Sequence, residues 1–218
     1  MRAAVCPACL DTRTAELRRF AAEQSAQHFI LREADPVRHE KLTTHLRSLW
    51  SGDRCSIMIC QSCGLGFSWP YVAGDAEFYE LAYPTVGYTK NRWEFDRTIR
   101  ELSRIKIEGA RVLEIGPGFG MFLDRLIAIG VRRADISALE FHSASCAKLT
   151  EKGYRAESLD LRSTDFMPAD RFDLIFMFQV VEHMDHLDGL MKKLRQICSD
   201  RARIFISVPN ASRTNYFE

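Results

Sequence analysis

The sequence predicts an α/β protein built on a mostly parallel sheet of about five strands with helices on both faces, preceded by a small cysteine-paired module. Three observations predict it. Val112 to Gly120 reads Val-Leu-Glu-Ile-Gly-Pro-Gly-Phe-Gly, a β-prone run that breaks into three glycines spaced two apart. After it, apolar runs alternate with amphipathic stretches at the interval of strand–helix–strand units. Before it stand two Cys-x-x-Cys pairs, Cys6/Cys9 and Cys60/Cys63.

The elements follow in chain order. Fifty residues separate Cys9 from Cys60, far more than a compact ribbon needs, so an insertion is expected between the pairs. Within it Asp35-Pro36 reads as the cap and first residue of a helix whose Leu42, Leu46, Leu49 and Trp50 fall at helical spacing and serve packing. Val112, Leu113 and Ile115 suit a buried parallel strand, and Gly116, Gly118 and Gly120 let the chain turn sharply and admit a ligand against bare backbone. An amphipathic helix follows, with Met121, Phe122, Leu123, Leu126 and Ile127 as its stripe and Gly130 as its stop. Ile136 to Phe141 reads as a second strand, Ser143 as the N-cap of a helix ending near Gly153, and Tyr154 to Ser158 as a third strand. The nearly unbroken apolar run Phe172 to Val181 predicts a central strand covered on both faces. A helix from Leu187 to Cys198 and a strand from Arg203 to Val208 complete the alternation, giving a Rossmann-like sheet with its ligand at the carboxyl edge.

The chemistry of the glycine turn narrows the ligand. A dinucleotide site wants a third small residue three positions after the second glycine, and here that place is Met121. Glu114 would sit badly beside a pyrophosphate, whereas its carboxylate suits the ammonium group of a methionine moiety, as in S-adenosylmethionine. No Gly-Lys-Ser/Thr follows, which argues against a phosphate-cradling loop. Glu140, twenty-four residues after Gly116, is placed to accept hydrogen bonds from both ribose hydroxyls, Phe141 to flank an adenine, and Asp160 to accept from its amino group.

From Glu114-Ile-Gly-Pro-Gly-Phe-Gly120 through Glu140, Phe172-Asp-Leu-Ile175, Gln179-Val-Val-Glu-His183 and Val208-Pro-Asn210, the chain resembles the class I S-adenosylmethionine-dependent methyltransferases over roughly residues 88 to 210. The resemblance implies that Glu114 and the backbone of Gly116 and Gly118 hold the methionine end, Glu140 the ribose, Asp160 the adenine side, and Gln179 the region near the sulfonium. Methyl transfer needs an aligned, desolvated acceptor and, where the acceptor is protonated, a base. Glu182 and His183 fall on the rim where an acceptor should enter, with His186 just beyond. A similar Glu-His pair occurs in quinone-biosynthesis O-methyltransferases, and His183 reads either as that base or as a loop cap.

The two cysteine pairs suit tetrahedral zinc, Gly64 supplying the small residue that lets amides turn toward thiolates, and four thiolate ligands mean a structural rather than catalytic ion. With Gly64 to Pro70, Phe78, Tyr79 and Tyr83, this zinc-ribbon-like stretch resembles the zinc-binding leader that precedes methyltransferase domains acting on small molecules, including sugar C-methyltransferases. Cys55 or a histidine offers an alternative ligand. Tyr79, Tyr83 and Tyr88 read as packing or as an acceptor entrance, and Cys146 and Cys198 as packing on helices. The domains are therefore 1–87, a leader that helps build the acceptor site, and 88–218, the methyltransferase domain.

Composition bounds the rest. With 218 residues and 46% hydrophobic content the chain can hold one α/β core and an accessory module. It has neither a run of eighteen apolar residues nor a signal-peptide pattern, so a cytoplasmic protein with reduced thiols and no membrane partner is expected. A net charge of +1 and the lack of a basic, aromatic-interleaved stripe disfavour nucleic acid. A small-molecule acceptor, a sugar or secondary metabolite, is the leading expectation. An RNA or protein methyltransferase docking through the zinc module, and a non-catalytic cofactor-binding scaffold, are the alternatives. Glu218 falls ten residues after Val208, where this fold normally continues into further strands, so the last strands are expected to be missing and the exposed sheet edge to invite a homo-oligomer.

Overall fold

The computed structural model describes residues 4–83, 92–159, 168 and 171–209, so Tyr88, Asp160 and Asn210 lie outside the described residues. Two compact units emerge, one from residues 4–83 together with His183–Leu187, the other from residues 92–159, 168, 171–182 and 188–209.

The first unit is a three-stranded antiparallel sheet of β1 (Thr14–Ala21), β2 (Arg54–Cys60) and β3 (Gly66–Trp69), with β2 in the middle. The long gap between the cysteine pairs is filled by β1 and two helices, α1 (Ala22–Phe29) and α2 (Pro36–Leu49), and α3 (Ala76–Ala82) follows the sheet. The Asp35 side chain accepts from the Arg38 amide at 3.0 Å, and Pro36 opens α2 where a missing N–H costs nothing, as the sequence predicts. Leu42 and Leu46 then pack against Ala22, Ala26, Ile30 and Ala82 to form this unit's helical core. Cys6, Cys60 and Phe67 form a separate small cluster with Ala4.

The second unit is the predicted parallel sheet, with strands β4 (Val112–Ile115), β5 (Ile136–Leu139), β6 (Arg155–Glu157), β7 (Phe172–Phe178) and β8 (Cys198–Ser207) in the order β6-β5-β4-β7-β8. Its helices are α4 (Trp93–Leu102), α5 (Met121–Ala128), α6 (Ser143–Glu151) and α7 (Leu187–Ile197). On one face Leu174, Phe176 and Phe178 of β7 meet Phe95 and Leu102 of α4, Phe122, Leu123 and Leu126 of α5, and Leu149 of α6. Phe122 lies 4.8 Å from Phe176 and 4.7 Å from Phe178, ring to ring, and such aromatic pairs add about 0.5–1.5 kcal/mol each beyond simple burial. Ile175 and Met177 point to the opposite face and are equally buried, which explains why β7 is apolar at nearly every position.

Several boundaries differ from the sequence reading, for local reasons. β7 stops at Phe178 because Gln179 takes a left-handed backbone, φ +56°. His142, not Ser143, caps α6: its ring accepts from the Ser145 amide, doing the job ordinarily given to a hydroxyl. Cys198 opens β8 instead of closing α7, because α7 runs straight into the strand, which begins five residues earlier than expected. Among the described residues no helix is long and apolar enough to cross a membrane.

Candidate functional site

The order β6-β5-β4-β7-β8 reverses direction between β4 and β7, and a ligand crevice in such a sheet opens where the connections from neighbouring strands diverge, at their carboxyl ends. There β4 delivers Glu114 and the glycine turn. Gly116, Gly118 and Gly120 adopt φ of +69°, +57° and +76°, a region that side-chain-bearing residues avoid. Gly116 is pinned by its amide to the Leu139 carbonyl at 2.8 Å, and a Cβ built on it would stand 2.6 Å from a Val180 methyl. The turn is further held by Lys152, whose Nζ donates to the Phe119 carbonyl and to Asp124, each at 2.8 Å.

Two carboxylates face this turn in different circumstances. Glu140, just past β5, is 5% exposed and is satisfied: one oxygen accepts from the Gly118 amide at 2.8 Å and the other from the His142 amide at 2.9 Å. Burial raises its carboxyl above the usual range while those two amides pull it back. Glu114 is 2% exposed, and its Oε2 has no hydrogen-bond partner. Burial first, then the charge of Glu140, pushes its carboxyl up to about 8, against a partial pull from Arg92. A buried acid without a partner costs stability unless a ligand completes it.

The other expected residues are placed as follows. Phe141 is half-buried immediately after Glu140. The Gln179 amide donates to the Ser207 carbonyl at 2.9 Å, and its Nε2 reaches the Ser207 hydroxyl at 3.4 Å, so this side chain has a local partner. His183 closes a single helical turn after β7 and, with residues up to Leu187, belongs to the first unit. In that unit the Tyr71 hydroxyl donates to the Met184 carbonyl at 2.9 Å, the Ala73 amide donates to Asp185 at 3.0 Å, and the Tyr79 ring meets the His183 ring edge-on at 6.3 Å. His183 keeps an exposed surface, yet the protein around it thins its water enough to lower its imidazole below the ordinary value, favouring the neutral form. Tyr79 also stacks on Tyr83, which packs on Phe29, so both tyrosines do packing work. Sequence reasoning missed His142, whose amide fixes Glu140; a residue two places beyond a strand-end acid was the available signal.

The four paired cysteines converge. Their sulfurs all lie within 4.8 Å of one another, with Cys6 to Cys63 at 3.6 Å and Cys9 to Cys60 at 3.5 Å. A tetrahedron of thiolates about 2.3 Å from zinc has edges of roughly 3.8 Å, so these separations fit that ion. The Cys63 amide, followed by that of Ser62, holds the Cys60 thiol down to about 6, while the thiols of Cys9 and Cys63 beside it are raised, as apposed sulfurs that titrate together require. Cys55 is buried in β2 and lies outside this tetrad.

A parallel sheet with this strand order, a glycine turn after its central strand and an acid after the neighbouring one defines a class I S-adenosylmethionine-dependent methyltransferase domain. The chain belongs to the methyltransferase-domain family, which matches residues 88–217. Among its relatives, a ubiquinone biosynthesis O-methyltransferase of Bradyrhizobium diazoefficiens is 26% identical over 120 residues, 54% of this chain and 46% of the relative. Another of the same name from Chelativorans sp. is 30% identical over 109 residues, 47% of this chain and 42% of the relative. The chain spans just under half the length of these curated relatives. Of the solved structures, an S-adenosylmethionine-bound amino pentose methyltransferase from Micromonospora echinaspora involved in calicheamicin biosynthesis is 20% identical with a TM-score of 0.46, covering 61% of this chain and 56% of its own. The family's cofactor fits the residues present: a cationic amine would complete the unpartnered oxygen of Glu114, and no phosphate has to approach that carboxylate.

Proposed function

We propose that the chain binds S-adenosylmethionine through Glu114, the Gly116–Gly118–Gly120 turn, Glu140 and Phe141, and transfers its methyl group to a small-molecule acceptor. The buried, unpartnered Oε2 of Glu114 carries this reading. Glu114 would take the amine of the methionine end, the bare backbone of Gly116 and Gly118 would admit that end closely, and Glu140 would accept from the ribose hydroxyls with the lone pairs its two amide bonds leave free. When bound, the cofactor supplies an electrophilic methyl group on a positively charged sulfur. Alignment and exclusion of water are then the protein's main contributions. His183, kept neutral, would accept the proton of an acceptor hydroxyl or amine at a ring nitrogen. Gln179 would border the reacting end, and Asp160 the adenine. The names of the two ubiquinone-pathway relatives support an acceptor of small-molecule class. We also propose that Cys6, Cys9, Cys60 and Cys63 hold a structural zinc, and that the chain divides functionally into a leader, 1–87, and a methyltransferase domain, 88–218.

Titration calorimetry with S-adenosylmethionine tests the reading, with Glu140→Ala as control. Wild type should bind, and the variant should lose about 10- to 100-fold in affinity, the range for hydrogen bonds to a charged group. A folded wild type that does not bind would overturn it.

A further inference from the structure

Glu114 occupies the third position of β4, the central strand, paired with Ala138 of β5 and Phe176 of β7. Glu140 lies two residues beyond Ala138, just past the end of β5, and its charge reaches Glu114, so the two carboxylates are neighbours at the carboxyl ends of adjoining strands. Both are almost wholly buried. Two neighbouring carboxylates in one dry recess do not both ionise near neutral pH, and the proton goes to the one with fewer donors. Here the asymmetry is plain. Glu140 has the Gly118 and His142 amides to steady a charge, and Glu114 has an oxygen with nothing.

The other groups facing Glu114 do not reverse this balance. Asp124, from α5, adds negative charge, although Lys152 and the Tyr154 hydroxyl, at 2.8 and 2.6 Å, satisfy it. Tyr154, just before β6, is itself held uncharged, its phenol pushed beyond its ordinary value by burial and by Asp124. Arg92, the residue before α4, is the opposing cation, and its guanidinium is already bonded to buried Glu94 through Nε at 2.8 Å and through Nη2.

We propose that Glu114 is a neutral carboxylic acid in the free protein, and that docking of the cofactor's ammonium expels its proton, so that cofactor binding is coupled to the release of one proton to solvent. This rests on the cofactor reading above. The acid gives H⁺ to a buffer base and becomes the carboxylate that accepts from the incoming N–H groups; the ammonium keeps its own protons. The direction of the pH effect follows. Below the free-state pKa of the acid the proton must be displaced, so affinity should rise about tenfold per pH unit between roughly pH 5.5 and 7.5. The rise should end near pH 8, where the free acid itself ionises and an α-amino group, ordinarily at about 7.7–8.0, begins to lose its charge.

The experiment is calorimetry of the full chain with S-adenosylmethionine at pH 6.5 in three buffers of different ionisation enthalpy. The slope of observed heat against buffer enthalpy counts protons. Difference infrared spectroscopy of the same samples reads the carbonyl stretch of a protonated carboxyl. Near one proton released, with a carbonyl band in the free protein that vanishes on binding and is absent from Glu114→Gln, is the expected result. Binding with no proton released and no such band would overturn this inference and leave the cofactor reading standing. No binding by folded wild type would overturn both.

Discussion

Replacing Gly116 by alanine should destabilise the second unit by about 2–5 kcal/mol, and the structure divides that cost into two parts. The first is backbone strain: at φ +69° a residue with a Cβ sits in the left-handed region, at about 1–2 kcal/mol. The second is steric, because the new Cβ would stand 2.6 Å from the Val180 Cγ2, a branched side chain stiff at χ1, and such overpacking costs about 1–3 kcal/mol. Gly109 separates the two, since it has nearly the same φ, +72°, with nothing within 4 Å of its Cβ position. Gly109→Ala should therefore show the strain alone. Urea unfolding of Gly116→Ala, Val180→Ala and the double variant measures the remainder, and the cycle should return a coupling of about 1–3 kcal/mol that relieves the alanine at 116. Equal costs for Gly109→Ala and Gly116→Ala, or a coupling of zero, would refute the close approach of Val180 to the turn.

Two further outcomes are expected. Purified chain should carry one zinc, which Cys60→Ser lowers, and chelation should expose the leader to proteolysis while leaving the second unit folded; metal analysis and limited digestion read both. Tyr71→Phe removes the hydroxyl bonded to the Met184 carbonyl, worth about 1 kcal/mol, so amide exchange across His183–Leu187 should quicken roughly fivefold. Unchanged exchange would mean that the Tyr71 hydroxyl does not hold that loop.

Much of the fold is legible in the residues because its signals are local. The glycines at 116, 118 and 120 announce the turn, Asp35-Pro36 announces α2, and the apolar run at β7 announces a strand buried on both faces. Misread boundaries lie where a less usual group did a familiar job. The His142 ring caps α6 in place of a hydroxyl, and α7 passes into β8 without any glycine or proline between them. The identity of the four convergent cysteines was legible from their spacing. That Cys55 stands apart was not, since β2 alternates its side chains and only the sheet decides which of them reach the cluster.

By itself the sequence determined the order of the elements, the chemistry of the glycine turn and the pairing of the thiols, all of which depend on residues close together in the chain. Only the tertiary structure decided how the two acids differ. Glu114 and Glu140 are twenty-six residues apart and equally acidic on paper, yet one receives two backbone amides and the other keeps an unpartnered oxygen. Hydrogen-bond supply and burial are set by which strands lie side by side, and they determine which carboxyl holds the charge.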